Sequence, residues 1–274
     1  MEVKAYTSWG KVSSIGRRPT MEDAIWVSPN LLKYQDSPMH FFAVYDGHGG
    51  SEVAVYSSMR FHEILARHWD AETLIEDEKM KELLVRSFEE LDRELPSVKG
   101  YREDIGSTAL VALVSTSDIF VANIGDSRAV LCRTTEVLPL SDDHKPDRAD
   151  EQKRIEDLDG LVLNNEGARV FGVLAMSRSL GDMYMRPWVI PTPEVKAFRR
   201  TTSDECVVIA TDGLWDVLTN DEAAKIALKV LEKKRGSKNA AQVAANYLLR
   251  FATKKGSSDN ISIIVIDLKS PFGD

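Results

Sequence analysis

Acidic residues recur in this chain where an apolar run meets a turn. Val44-Tyr45-Asp46-Gly47-His48-Gly49-Gly50 sets an Asp at the end of a strand-like run, ahead of a glycine-rich turn. Ile209-Ala210-Thr211-Asp212-Gly213-Leu214-Trp215-Asp216 does the same, and Ile124-Gly125-Asp126-Ser127-Arg128 supplies a third such Asp. Asp259 stands just ahead of the apolar run that begins at Ile261, and Glu22-Asp23 follows Arg17-Arg18-Pro19-Thr20-Met21. Each has an ordinary reading alone, since Asp-Gly is a common turn dipeptide. As a set they point to one rim, because strand ends converge and gathered carboxylates repel one another unless cations neutralise them. Oxygen-only ligands suit hard cations, Mg²⁺ or Mn²⁺; ligand type leaves Ca²⁺ open, although no EF-hand loop is present. Two such ions can acidify a shared water and clamp phosphoryl oxygens. A guanidinium such as Arg18 can grip the remaining phosphate oxygens, and an imidazole such as His48 can protonate a leaving alkoxide. The five histidines are scattered and no Cys cluster occurs, which disfavours zinc. There is neither a Cys-x₅-Arg loop nor a G-x-x-x-x-G-K-[ST] loop, so thiolate phosphatases and that class of NTPase are disfavoured.

Rigid elements must stand behind these acids. Phe41 to Tyr45, Ala109 to Val114, Ile119 to Asn123, Ala129 to Cys132, Val207 to Thr211 and Ile261 to Leu268 read as buried strands. The short gaps between Ala109 and Cys132 predict an antiparallel meander, since parallel crossovers need a dozen or more residues. Helical spacing marks Ser51 to His68, with Ser51 at the N-cap, and Lys79 to Leu95, Asp221 to Lys233 and Asn239 to Lys254. Asp216 follows Asp212 by four, one helical turn, so a cap or ion-pair role stands beside a metal role for it. Strand runs broken by helix pairs predict an α+β fold, with helices on a largely antiparallel core. No repeat, low-complexity stretch or long linker interrupts the 274 residues, so one domain is expected.

Apolar residues make up 43% of the chain and charged residues 28%, the balance of a globular protein. A net charge of −8 argues against broad attraction to nucleic acid or anionic lipid. Cys132 and Cys206 lie in apolar runs and read as buried thiols. Met1 to Gly10 lacks the form of a secretory signal, and no run of roughly 18 apolar residues offers a membrane span. A cytoplasmic or nuclear location is expected.

Eight segments, in order, resemble the metal-dependent protein phosphatases of type 2C. They are Arg18 to Asp23, Phe42 to Gly50, Gly106-Ser107-Thr108-Ala109, Asn123 to Arg128, Asp143-His144-Lys145-Pro146, Ser177 to Asp182, Asp212 to Asp216 and Asp259 to Ser262. The resemblance implies a central β-sandwich of two mainly antiparallel sheets flanked by helices on both sides. It implies two ions, Mg²⁺ or Mn²⁺, with Asp46 bridging them, the Gly47 carbonyl on one, and Asp212 and Asp259 on the other. Glu22 and Asp23 would hold metal-bound waters, and Asp126 and Asp216 would border a weaker third ion. Arg18 would bind substrate phosphate, His48 would act as general acid, and water would attack phosphorus directly. Trp215 and His144 are expected in packing and loop hydrogen bonding.

Gly167 to Asp182, with Asp143 to Arg148, is similar to the plant branch that restrains abscisic acid signalling. That likeness implies phosphoprotein substrates, among them stress-activated serine/threonine kinases, and a flap near residues 158–192 that meets a hormone receptor. Asn165 stands where that branch carries a receptor-contacting tryptophan, which predicts weakened receptor binding. Gly167, Arg169 and Trp188 are the other flap contacts expected, with Trp188 alternatively a packing residue. A monomer is the family's default. Two rival readings are a phosphatase-fold binding module and a small-molecule phosphoesterase; retention of Asp46, Asp212 and Asp259 speaks against the first.

Overall fold

A computed structural model of the chain describes residues 6–35, 37–69, 77–164 and 167–270. Two five-stranded sheets dominate it. Their strands, numbered in chain order, are β1 (Tyr6–Ser14), β2 (Ala24–Tyr34), β3 (Ser37–Tyr45), β4 (Ala109–Val114), β5 (Asp118–Ile124), β6 (Arg128–Arg133), β7 (Val137–Pro139), β8 (Glu194–Arg199), β9 (Asp204–Ala210) and β10 (Ile261–Ser270). One sheet runs β1-β10-β9-β6-β7, the other β8-β5-β4-β3-β2, and every pairing is antiparallel. The helices are α1 (Glu52–His68), α2 (Asp77–Glu94), α3 (Ala149–Glu156), the single turn α4 (Asp212–Trp215), α5 (Asn220–Lys233) and α6 (Ala240–Lys255).

Side-chain alternation explains the layering. Along β3, Phe41, Ala43 and Tyr45 pack with Phe61, Leu84 and Phe88 of α1 and α2, while Phe42 and Val44 enter the core between the sheets. On β10, Ile261, Ile263 and Val265 face α5 and α6, and Ile264, Ile266 and Leu268 face the other sheet. Antiparallel sheets often leave one face to water. Here each interior strand buries both, so its sequence is a continuous apolar run. The sandwich flanked by helices on both sides is therefore the observed architecture.

The expected meander from Ala109 to Cys132 is corrected. Only β4 and β5 form a hairpin; β6 leaves for the other sheet, where it pairs with β9 and β7. The crossing occurs at Gly125, whose φ of +88° suits glycine. A Cβ there would also sit 2.5 Å from Thr108 Cγ2. The crossing sets Asp126 at the mouth between the sheets. Ser51 does precede α1, but its side chain makes no capping bond. Cys132 and Cys206 are free, buried, and register partners across β6 and β9. Among the described residues, no helix is long and apolar enough to cross a membrane.

Candidate active site

A cavity of about 460 Å³ opens at the end of the sandwich where the acidic strand ends meet. Arg18, Glu22, Asp46, Gly47, His48, Asp126, Arg169, Asp212 and Asp259 all line it. Asp46 is held by its neighbours' backbone and hydroxyls. Its N–H donates to Thr108 Oγ1 at 3.1 Å, and its carbonyl accepts from the Thr108 N–H at 2.9 Å. Thr211 lies between the end of β9 and α4, at the N-cap position, so Asp212 starts a helical turn and Asp216 closes it, its N–H bonded to the Asp212 carbonyl at 2.8 Å. Thr211 Oγ1 donates to buried Asp23 at 3.0 Å, which places Asp23 behind the cavity wall rather than on it.

Asn260 joins the two ends of the chain. Its Nδ2 donates to the carbonyls of Ile15 (2.9 Å) and Thr20 (3.0 Å), and its Oδ1 accepts from the Glu22 N–H at 2.7 Å. The Arg17–Asp23 segment is thereby fixed beside Asp259. Arg18 itself donates to Asp259 at 2.7 Å, rather than pairing with Glu22 or Asp23. Lys145 bonds Asp126. Arg128 clamps Asp143 with two bonds, 3.0 and 2.6 Å, and lies over the Trp215 ring. Trp215 is packed in the core, its Nε1–H given to the Ala210 carbonyl. His144 is fully buried, its N–H on the Gly125 carbonyl.

Burial raises the Asp46 carboxyl well above its ordinary value, and the charges of Asp23, Asp212 and Asp126 push the same way. Burial, then Asp126, Asp216 and Asp259, lift Asp212 to about 8. Burial lifts Asp23 to about 6 despite hydrogen bonds from Ser262 and Thr211. Burial also raises Asp216, with Lys145 opposing. One carboxylate oxygen each of Asp212 and Asp23 is buried with no hydrogen-bond partner. Unpartnered carboxylate oxygens and mutually raised acids fit a site for a hard cation. Among the described residues no three acid, imidazole or thiolate side chains close into a ready ligand cage. Arg18 and Lys145 occupy Asp259 and Asp126 instead, so cation binding requires those bases to yield.

His48 reaches a partner that the motif reading did not assign a role. Its Nε2 lies 2.8 Å from Asp182 Oδ2, and the same oxygen accepts from Ser179 Oγ at 2.5 Å. Asp182 is fully buried, in left-handed backbone at φ +47°, a conformation that Asp tolerates better than most residues. With Nε2–H given to Asp182, Nδ1 is buried with no other partner; it accepts a proton in the neutral ring and donates one from the imidazolium. A Cβ on Gly106 would lie 2.0 Å from Asp182 Oδ2 and 2.4 Å from His48 Nε2, so only glycine admits this pair. Asp182, Gly106, Thr108, Lys145 and Asn260 all sat inside the recognised segments; their contacts across the chain were not readable from local spacing.

The flap has its own small core of Ile155, Val170, Leu174, Met185 and Val189. A two-stranded ribbon, Val162–Asn164 with Ala168–Val170, carries its tip. Trp188 packs edge-on against Phe171 at 4.7 Å and gives its Nε1–H to the Leu158 carbonyl. Arg169 is exposed and donates to the Val173 carbonyl, while Gly167 has open space around it. Asn165 lies outside the described residues.

A helix-flanked double sheet with an acidic cavity at its mouth is the arrangement that the type 2C phosphatase resemblance implies. The chain matches the Protein phosphatase 2C family over residues 10–261. It is 46% identical to Protein phosphatase 2C 56 and 45% identical to Protein phosphatase 2C 77 of Arabidopsis thaliana, over 98% of this chain and 70% and 73% of those proteins. Probable protein phosphatase 2C 6 of Oryza sativa is 42% identical over 98% of this chain and 68% of its own length. A solved C. elegans sex-determining protein superposes with a TM-score of 0.85 at 26% identity, over 97% of this chain and 66% of that one. Serine-threonine phosphatase 2C from Toxoplasma gondii shares the fold, with a TM-score of 0.82 at 24% identity, over 97% and 96%. The chain belongs to the protein phosphatase 2C family and is a protein serine/threonine phosphatase.

Proposed function

We propose that this phosphatase uses cations held at the acidic mouth to dephosphorylate phosphoserine and phosphothreonine proteins, stress-activated kinases among them, and so restrains abscisic acid signalling. One observation carries the chemistry: Asp46 and Asp212 stand half-buried together beside buried Asp126, at raised pKa, with an oxygen of Asp212 unpartnered. Held by Asp46, the Gly47 carbonyl, Asp212 and Asp259, with Glu22 and Asp23 toward their waters and Asp126 and Asp216 bordering a third position, Mg²⁺ or Mn²⁺ would supply an acidified water and Lewis acidity.

The chain's own residues supply the rest. Arg18, 57% exposed at the cavity edge, is placed to leave Asp259 for a phosphate oxygen. His48, held through Nε2 by Asp182, would in its doubly protonated form give the Nδ1 proton to the departing serine or threonine oxygen. Leu161, Leu163 and Val173 are exposed on the flap beside the cavity, which supports docking of a protein partner there. The pathway rests on the sequence likeness of Gly167 to Asp182 and Asp143 to Arg148 to the hormone-regulated plant branch. Asn165 in place of the receptor-contacting tryptophan makes receptor inhibition weak. The enzyme acts as a monomer, in cytoplasm or nucleus.

A phosphothreonine peptide and a nucleoside monophosphate, each with and without Mn²⁺, test the substrate class. Mn²⁺-dependent turnover of the peptide at least ten-fold above that of the nucleotide is expected. Equal rates contradict a protein substrate. Strong inhibition by purified receptor and hormone contradicts the Asn165 argument.

A further inference from the structure

The outer face of α5 and α6 carries a second surface that the catalytic cavity does not use. Lys225, Lys229 and Lys233 recur every four residues and line one rim of a groove of about 410 Å³, with Lys234 at its end. Ile226, Val230 and Val243 line the same groove. Tyr247 and Phe251, one helical turn apart on α6, form its other wall and are 41% and 40% exposed. Arg250 lies 5.7 Å from the Tyr247 ring centroid, adding a further cation.

Two features set this face apart. None of the four lysine side chains has an ion pair or hydrogen bond among the described residues, in a chain of net charge −8. Of the acids on the same helix, Asp221 and Glu232 form no ion pair with these lysines among the described residues, and Glu222 is held by Lys255 and by the Thr219 cap. The second feature is that the lysines border a concave apolar trough rather than a flat face. A trough with a basic rim fits an extended acidic segment carrying bulky apolar side chains. An anionic bilayer is a poorer match, because a flat surface cannot enter the trough and the molecule's net charge opposes it.

We propose that the α5–α6 groove is a docking site for an acidic peptide segment with bulky apolar anchors on the phosphoprotein substrate. The nature of the partner rests on the protein-phosphatase reading; the groove and its charge do not. Docking there raises the local concentration of a phosphosite tethered to the same partner, without changing the chemistry at the cavity.

The probe is a fluorescein-labelled peptide with a Leu-x-x-Phe pair flanked by Glu, used unphosphorylated for binding and joined to a phosphothreonine segment for turnover. Wild type is compared with a Lys225→Glu, Lys229→Glu, Lys233→Glu variant and with a Tyr247→Ser, Phe251→Ser variant. Anisotropy should show salt-sensitive binding by wild type, weakened about ten-fold or more in both variants. The tailed substrate should lose at least five-fold in kcat/KM through KM, while an aryl phosphate and the untailed peptide keep wild-type rates. Absence of binding to wild type overturns the proposal, as does equal binding by all three proteins. Loss in the variants of phosphatidylserine-vesicle binding alone assigns the face to membranes and overturns it. A concentration-dependent mass in light scattering that the variants abolish assigns it to a second copy and overturns it too. Because binding is read on an unphosphorylated peptide, failure of the phosphatase reading would appear separately, as absent aryl-phosphate turnover.

Discussion

Burial and three acidic neighbours push the Asp212 carboxyl up to about 8. Between the ordinary value of 3.8 and that level, the folded chain holds a proton that the unfolded chain has released. Stability of the ion-free protein therefore falls as pH rises through that window, and Asp23, lifted to about 6, adds to the fall. A cation bound at the mouth replaces those protons, so its stabilising effect grows with pH. In scanning fluorimetry, Mn²⁺ should raise Tm more at pH 8 than at pH 6. Asp212→Asn should raise the ion-free Tm at pH 8, shrink the Mn²⁺ shift and nearly abolish turnover. An undiminished Mn²⁺ shift in that variant refutes the assignment. His48 gives a second residue-scale prediction. His48→Ala should slow phosphoserine peptides on the order of 100-fold or more, and activated aryl phosphates much less. Asp182→Asn should show the same selectivity at smaller size, since it acts through the imidazole; equal losses on both substrates count against a proton-donor role.

At the scale of elements, the flap is anchored by a buried ionic cluster at its base. Glu151 on α3 is about 1% exposed and accepts from Arg178, Arg154 and Ser177. Burial pushes its carboxyl up, but the bonds from Arg178, Arg154 and Ser177 outweigh this and leave it at about 2. The stabilising contribution is thus complete above the ordinary value of 4.5 and is lost as pH falls toward 2. Glu151→Gln should cost about 3 kcal/mol, or roughly 6–10 °C in Tm at neutral pH, because it strands the partly buried Arg178 and Arg154 guanidinium groups. A cost that stays the same at pH 3 would contradict that origin. The elements also show where pattern reading stops. The six strands expected from apolar runs, β3, β4, β5, β6, β9 and β10, are the six interior strands of the two sheets. The four that were not expected, β1, β2, β7 and β8, are the four sheet edges. Interior strands bury both faces and read as continuous apolar runs; edge strands mix polar and apolar residues, as β8 does in Glu194-Val195-Lys196-Ala197-Phe198-Arg199. The meander failed for a related reason, since a short gap fixes neither the partner strand nor the sheet, and Gly125 redirects the chain.

Over the whole molecule, the candidate site is an assembly of distant segments. Arg18, Asp46, Asp126, Asp212 and Asp259 come from five separate stretches, yet all border one cavity. Their convergence was readable from motif order because strand ends share a rim. The contacts that hold the convergence in place were not readable. The Asn260 staple to Ile15, Thr20 and Glu22 spans nearly the full chain, and the His48–Asp182 pair crosses 134 positions. The substitution of Asn at 165 was visible only as a departure from a pattern. The most direct measurement of the central claim is anomalous diffraction from crystals grown with Mn²⁺, collected for wild type and Asp46→Asn. At least two manganese peaks among Asp46, Asp212 and Asp259 are expected in wild type, with Arg18 turned away from Asp259, and at most one in the variant. Catalytically active wild-type crystals with no manganese among those three carboxylates would contradict the account.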